Sequence, residues 1–176
     1  MPSSVVTLKV NGRAQEFLTR PGTTLLDALR DSLSLTAAKK GCAQGTCGTC
    51  TVLLEGKPVF ACLVPVETVG ARSVETLEGL ADGEALHAVQ ESFIENFATQ
   101  CGFCSSGMIM AAKGLLPTNA NPSRADVVRA ISGNVCRCTG YEAIIDAVLA
   151  AAAKMKKPAP LARSAKSVLP RKKAAE

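Results

Sequence analysis

Apolar and polar residues alternate at the start of the chain, with Val6, Leu8 and Val10 on one side, and Asn11-Gly12 follows at once. An Asn-Gly pair after an alternating run is a strong hairpin signal, so residues 5–10 and 14–18 are predicted to pair as antiparallel strands. After Pro21-Gly22 the spacing lengthens. Thr24 can cap a helix whose apolar positions Leu25, Leu26, Leu29 and Leu33 recur at helical intervals. A glycine-studded stretch leads to a predicted strand over 51–54, a turn at Glu55-Gly56-Lys57-Pro58 and a strand running to Cys62. Residues 64–76 read as extended.

From about Leu77 the period changes from two to 3.6, which marks a second domain with a boundary near residues 79–83. Leu86, Val89, Phe93 and Phe97 make one apolar helix face, and residues 106–116 make a second helix stopped by Pro117. Ser123 and Asp126 form a capping box for a third helix with Val127, Val128 and Ile131 inward; Thr139 and Glu142 offer another for a fourth. The chain thus divides into residues 1–79, which are strand-rich, residues 80–153, which are helical, and a basic flexible tail at 154–176. That is an α+β chain.

With 176 residues, 47% of them hydrophobic and 20% charged, the chain is long enough and apolar enough to bury a core. Aromatic residues make up only 3%, with no Trp, so stacking platforms for nucleic acid have little to build from. The net charge of +5 resides in the tail. From residue 151 onward eight Lys or Arg face Glu176 alone, which leaves residues 1–150 at a net charge of −2. Pro158, Pro160 and Pro170 make that tail a solvated extension and not a nucleic-acid or membrane anchor. No run approaches the ~20 apolar residues that cross a bilayer, and the start lacks a charged and apolar leader, so a cytoplasmic, reducing compartment is expected. There, cysteines are metal ligands far more often than disulfides.

Eight cysteines against one histidine, His87, make thiolates the donor set of any metal site. Cys42, Cys47, Cys50 and Cys62 are spaced C-x4-C-x2-C-x11-C, the plant-type arrangement for a [2Fe–2S] cluster with a nearer fourth ligand. Gly41, Gly45 and Gly48 interleave with them and let the chain curl close to a cluster. Cys101, Cys104, Cys136 and Cys138 read C-x2-C-x31-C-x-C. Four thiolates also suit tetrahedral zinc, but zinc ribbons repeat C-x2-C at both ends. Both cysteine pairs fall at helix starts, where free N–H groups and the helix dipole stabilise anionic sulfur. Iron–sulfur and zinc both remain open on spacing. His87 reads as a packing or surface residue, and Met108 and Met110 as core filler. No Ser-His-Asp set and no phosphate loop is present.

Three segments, GCAQGTCGTCTV (41–52), TQCGFC (99–104) and GNVCRCTGY (133–141), resemble the small iron–sulfur subunit of the xanthine oxidase family of molybdenum hydroxylases. The resemblance covers residues 5–153 and keeps all eight cysteines in family order. It implies a β-grasp, ferredoxin-like N-terminal domain and an all-α four-helix-bundle domain, each binding one [2Fe–2S] cluster, and it removes most of the zinc alternative. It implies that Cys101, Cys104, Cys136 and Cys138 hold the cluster nearer molybdenum and Cys42, Cys47, Cys50 and Cys62 the cluster nearer flavin. Gln100 and Cys138 match positions that contact the pterin. Two departures touch loop geometry: Ser105-Ser106 stands for the usual Thr-Pro, and Ala37-Ala38 for a common Gly-Thr.

The resemblance further implies partners. These are a large subunit with molybdopterin, as its cytosine dinucleotide, and a medium subunit with FAD, in a heterotrimer or a dimer of heterotrimers. No catalytic residue is expected on this chain; the substrate site belongs to another. A free-standing two-cluster ferredoxin is the alternative.

Overall fold

The computed structural model describes residues 3–156, and the predicted tail from 157 onward lies outside them. Strands β1 (Ser4–Val10) and β2 (Arg13–Thr19) form the predicted hairpin, in register from Ser4 opposite Thr19 to Val10 opposite Arg13. Asn11 and Gly12 both take positive φ, as the tight turn requires. A helical turn, α1 (Leu25–Asp27), is capped by Thr24, whose hydroxyl accepts from the Asp27 amide at 3.1 Å. It opens into a π-helical stretch at Ala28–Ser32, with Leu25, Leu26 and Leu29 buried.

Strands β3 (Thr51–Leu54) and β4 (Lys57–Phe60) are joined by Glu55 and Gly56 alone, both at positive φ. The turn is therefore two residues and not four: Lys57 and Pro58 already belong to β4, an edge strand where a proline costs no ladder bond. Between Val64 and Thr76 only β5 (Ser73–Glu75) is a strand, and Val66–Thr68 is a 3-10 turn, so the extended reading of 64–76 is corrected there. The mixed sheet has the order β2-β1-β5-β3-β4, with β1 and β5 parallel and the other pairs antiparallel. Packed by a short helix over one face, it is a β-grasp-like arrangement. Its core is built from Leu8, Val10, Leu25, Leu29, Val52, Val66 and Val74.

Four helices follow among the described residues: α2 (Ala88–Glu95), α3 (Ser105–Leu115), α4 (Arg124–Ile131) and α5 (Glu142–Lys156). They enclose a second core around Val89, Phe93, Met108, Val127, Ile131, Ile144 and Val148. The Ser123/Asp126 capping box forms as expected. Three expectations fail. Phe97 lies beyond α2 at positive φ and is 85% exposed, so the α2 face contains only Val89 and Phe93. Val128 points outward, because α4 buries only Val127 and Ile131. Helix α5 runs to Lys156, past the boundary expected at 153, and Lys154 binds Glu91 at 3.2 Å and Glu95 at 2.7 Å on α2.

The two parts share an interface. All four residues of β3 are buried, since α3 lies against the face of the sheet that α1 leaves open. Helix α3 approaches so closely that a Cβ on Gly107 would lie 2.3 Å from the Gly48 carbonyl oxygen.

Candidate metal centre

The first cysteine loop is shaped by backbone that turns left-handed at Ala43, Gly45 and Gly48. This curl points amides inward. The Gln44 and Thr46 N–H groups donate to Cys42 Sγ at 3.5 and 3.3 Å. The Thr46 side chain and these amides pull the Cys42 thiol down to about 5. Cys50 sits deeper, and burial first, then the Cys62 thiol, push its own thiol up to about 11 against an opposing backbone hydrogen bond from Cys62. The loop's glycines do more than admit a cluster. A Cβ on Gly48 would lie 2.4 Å from the Gly133 carbonyl, so this glycine is required by contact with the helical part.

The second set converges from two places. Cys104 is the N-cap residue of α3, with Cys101 just before it; Cys136 and Cys138 precede α5. Burial, then Cys136, pushes the Cys104 thiol up to about 12. At Cys136 burial acts upward, but the Thr139 hydroxyl at 3.1 Å and the Thr139 amide outweigh it and bring the thiol below its ordinary value. The Thr139 hydroxyl also accepts the Tyr141 amide at 3.2 Å, but among the described residues no bond joins Thr139 to Glu142, so the capping box expected there does not form. Tyr141, at positive φ, turns its hydroxyl back to accept from the Cys136 amide at 2.9 Å.

The thiols come in pairs. Cys138 and Cys101 stand 3.6 Å apart, and Cys104 is within hydrogen-bonding reach of Cys136. In the first set Cys50 neighbours Cys62, and Cys42 neighbours Cys47. Among the described residues no three thiol, imidazole or carboxylate groups converge on one point, as a single tetrahedral ion needs. Two pairs per set fit the donor set of a two-iron, two-sulfide core, which takes two thiolates at each iron. Each set has a deep pair and a shallow pair: Cys50, Cys62, Cys104 and Cys136 are buried, Cys42 and Cys47 partly so, and Cys101 and Cys138 exposed. Gln100 is exposed beside Cys101.

What the sequence did not disclose is the clasp between the sets. Val135 donates its amide to the Cys47 carbonyl at 2.9 Å, one residue before Cys136. Asn134, 4% exposed, donates from Nδ2 to the Gly48 carbonyl at 2.8 Å and to Thr51 Oγ1 at 3.1 Å. His87, expected as packing or surface, caps α2: its Nδ1 accepts from the Val89 amide at 3.2 Å. Met108 and Met110 are core, as expected.

Two family models match in tandem: a 2Fe-2S iron-sulfur cluster binding domain over residues 8–86 and a [2Fe-2S] binding domain over residues 76–149. The chain is 44% identical to the nicotine 6-hydroxylase small subunit of Paenarthrobacter nicotinovorans, over 82% of this chain and 87% of that protein. It belongs to the small iron–sulfur subunits of the xanthine oxidase family. It is 42% identical to the nicotinate dehydrogenase small FeS subunit of Eubacterium barkeri, over 84% of this chain and 94% of that one. Quinoline 2-oxidoreductase from Pseudomonas putida 86 has a chain of the same fold, with a TM-score of 0.83 and 45% identity over 86% of this chain and 94% of that chain. In the aldehyde oxidoreductase from Desulfovibrio desulfuricans the likeness (TM-score 0.83, 47% identity) covers 86% of this chain but 17% of that one, where the same unit is part of a longer polypeptide. The chain is therefore an iron–sulfur component of an oxidoreductase. No helix among the described residues is long and apolar enough to cross a membrane.

Proposed function

We propose that this subunit carries electrons between a large subunit holding molybdopterin, as its cytosine dinucleotide, and a medium subunit holding FAD. It would work in a cytoplasmic heterotrimer or dimer of heterotrimers. Cys42, Cys47, Cys50 and Cys62 hold one [2Fe–2S] cluster on the flavin side; Cys101, Cys104, Cys136 and Cys138 hold another on the molybdenum side, with Gln100 and Cys138 toward the pterin. When bound, the clusters supply one-electron redox chemistry. Helices α2–α5 serve as the four-helix bundle that braces the second set.

The single observation that carries this reading is the order of the thiols in depth. Exposed Cys101 and Cys138 lead to buried Cys104 and Cys136, and Cys136 adjoins Val135, whose amide holds the Cys47 carbonyl of the other set. An exposed edge, an interior and a second site lie in series. The chain's own residues keep that series rigid: Gln44, Thr46 and Thr139 amides donate to sulfur, and Asn134 fixes one loop on the other.

The test is purification of the tagged chain from its native host. Iron and acid-labile sulfide are each expected at about four per chain, with molybdenum and FAD in the same complex. A soluble monomer carrying all its iron but neither partner cofactor overturns the subunit reading in favour of a free-standing ferredoxin.

A further inference from the structure

Arg137 stands between Cys136 and Cys138, and its side chain lines a cavity of about 280 Å³ whose wall is shared by both thiol sets. Cys42 and Cys47 come from the first, Cys101 and Cys104 from the second. Among the described residues no other lining side chain carries a fixed charge, and Arg137 has no carboxylate within ion-pair distance. The nearest lysine in sequence to the first set, Lys40, is engaged elsewhere, with Asp27 at 2.9 Å. Arg137, exposed to solvent and without a carboxylate partner among the described residues, thus borders a cleft bounded by thiols that the proposed function loads with anionic clusters.

We propose that Arg137 is an electrostatic tuning residue for both clusters, holding their reduction potentials up and that of the second cluster most. This rests on the two-cluster reading above. Reducing a cluster adds one electron, from the partner's molybdenum centre in turnover or from dithionite in a titration, and breaks no bond at the chain. The negative charge at the site rises by one. A cation nearby stabilises the reduced form more than the oxidised one, and net charge is among the levers that set such potentials. Arginine supplies this charge at every accessible pH, because its guanidinium does not deprotonate. Its position between two ligands of one set, with the other set across the cavity, makes the second cluster the stronger responder.

The experiment is an EPR-monitored redox titration of the whole complex with Arg137→Gln, Arg137→Lys and wild-type chains. In Arg137→Gln the ratio of reduced to oxidised second cluster at a fixed potential is expected to fall about tenfold, equal to about 59 mV for one electron. The first cluster should shift the same way by less. Arg137→Lys keeps the charge and should restore most of the wild-type potential, and the Gln shift should be constant from about pH 6 to pH 9. Iron is measured in parallel. Wild-type protein without two clusters per chain defeats the underlying reading; full iron with unmoved potentials in Arg137→Gln defeats this inference alone. Unmoved potentials together with loss of a partner subunit would also overturn it, by making Arg137 a docking residue.

Discussion

His87 accepts the Val89 amide on Nδ1 while Gln90 accepts the His87 amide, so the imidazole must stay neutral to cap α2. Burial, and then the charge of Lys113, hold its pKa below the ordinary 6.5, against a weaker opposing pull from Glu91. The unfolded chain therefore binds this proton more readily than the folded one. Stability is fully present above the unfolded value and is lost as pH falls below it toward the lowered folded value. Thermal unfolding between about pH 8 and pH 5 should show this fall in wild type. In His87→Ser, which keeps a capping oxygen, that part of the slope should be missing. Ser106 gives a second case. Its hydroxyl is buried without a hydrogen-bond partner among the described residues, at a position where the family resemblance places proline. Replacing it by Ala should raise stability by about 1 kcal/mol, since an unsatisfied buried hydroxyl costs 1–3 kcal/mol. Asn134 is the reverse. Asn134→Asp removes the donor and sets a carboxylate against the Gly48 carbonyl, which should cost about 3 kcal/mol or more of folding stability, read as a lower unfolding midpoint. An unchanged midpoint would show that the clasp contributes nothing.

Helix α3 joins the two cores at the scale of elements. Its Gly107 has no room for a methyl group, because the Gly48 carbonyl and Asn134 occupy the place. Gly107→Ala gains roughly 1 kcal/mol in helix propensity but forces backbone apart, at roughly 1–3 kcal/mol or more. A lower melting temperature and looser iron retention are expected, and a higher melting temperature would refute the close approach. This contact also marks where the sequence stops being readable. The Asn11-Gly12 hairpin, the Thr24 cap and the Ser123/Asp126 box were legible because each signal lies within a few residues, and the first cysteine spacing pointed to a cluster because it is a known ligand pattern, whereas the second left iron and zinc open. Asn134 was not, since its partners Gly48 and Thr51 lie 86 and 83 residues away. Thr139 was misread for a related reason. Its local spacing fits a cap, but Tyr141 at positive φ delays α5 to Glu142, and the Thr139 hydroxyl meets the Cys136 sulfur and the Tyr141 amide instead. Phe97 falls on the helical period of α2, yet the chain leaves the helix at Asn96 before that period can bury it.

For the whole molecule, exposure beside the thiols is the quantity that bears on assembly. Phe103, between Cys101 and Cys104, is 48% exposed, and Leu63, next to Cys62, is 58% exposed and lies over Gly45 in the first loop. Both are large apolar side chains left in water where the proposed function requires partners to approach a cluster. A chain that transfers electrons within a permanent complex has reason to keep them; a ferredoxin that meets its partners briefly has less. Since neither side chain fills a core, Phe103→Ser and Leu63→Ser should change folding stability by no more than about 0.5 kcal/mol and leave the iron content intact. Partner retention should respond differently. If each anchors an interface as a buried aromatic or aliphatic contact does, truncation weakens association by about 1–2 kcal/mol or more, roughly tenfold in Kd. Phe103→Ser should then shed the molybdenum subunit and Leu63→Ser the FAD subunit, each without the other. Gel filtration with molybdenum and flavin analysis reads both outcomes from one preparation. Retention of both partners by both variants would place the interfaces elsewhere on the chain, whereas crossed losses would exchange the two sides and reverse the proposed order of the clusters.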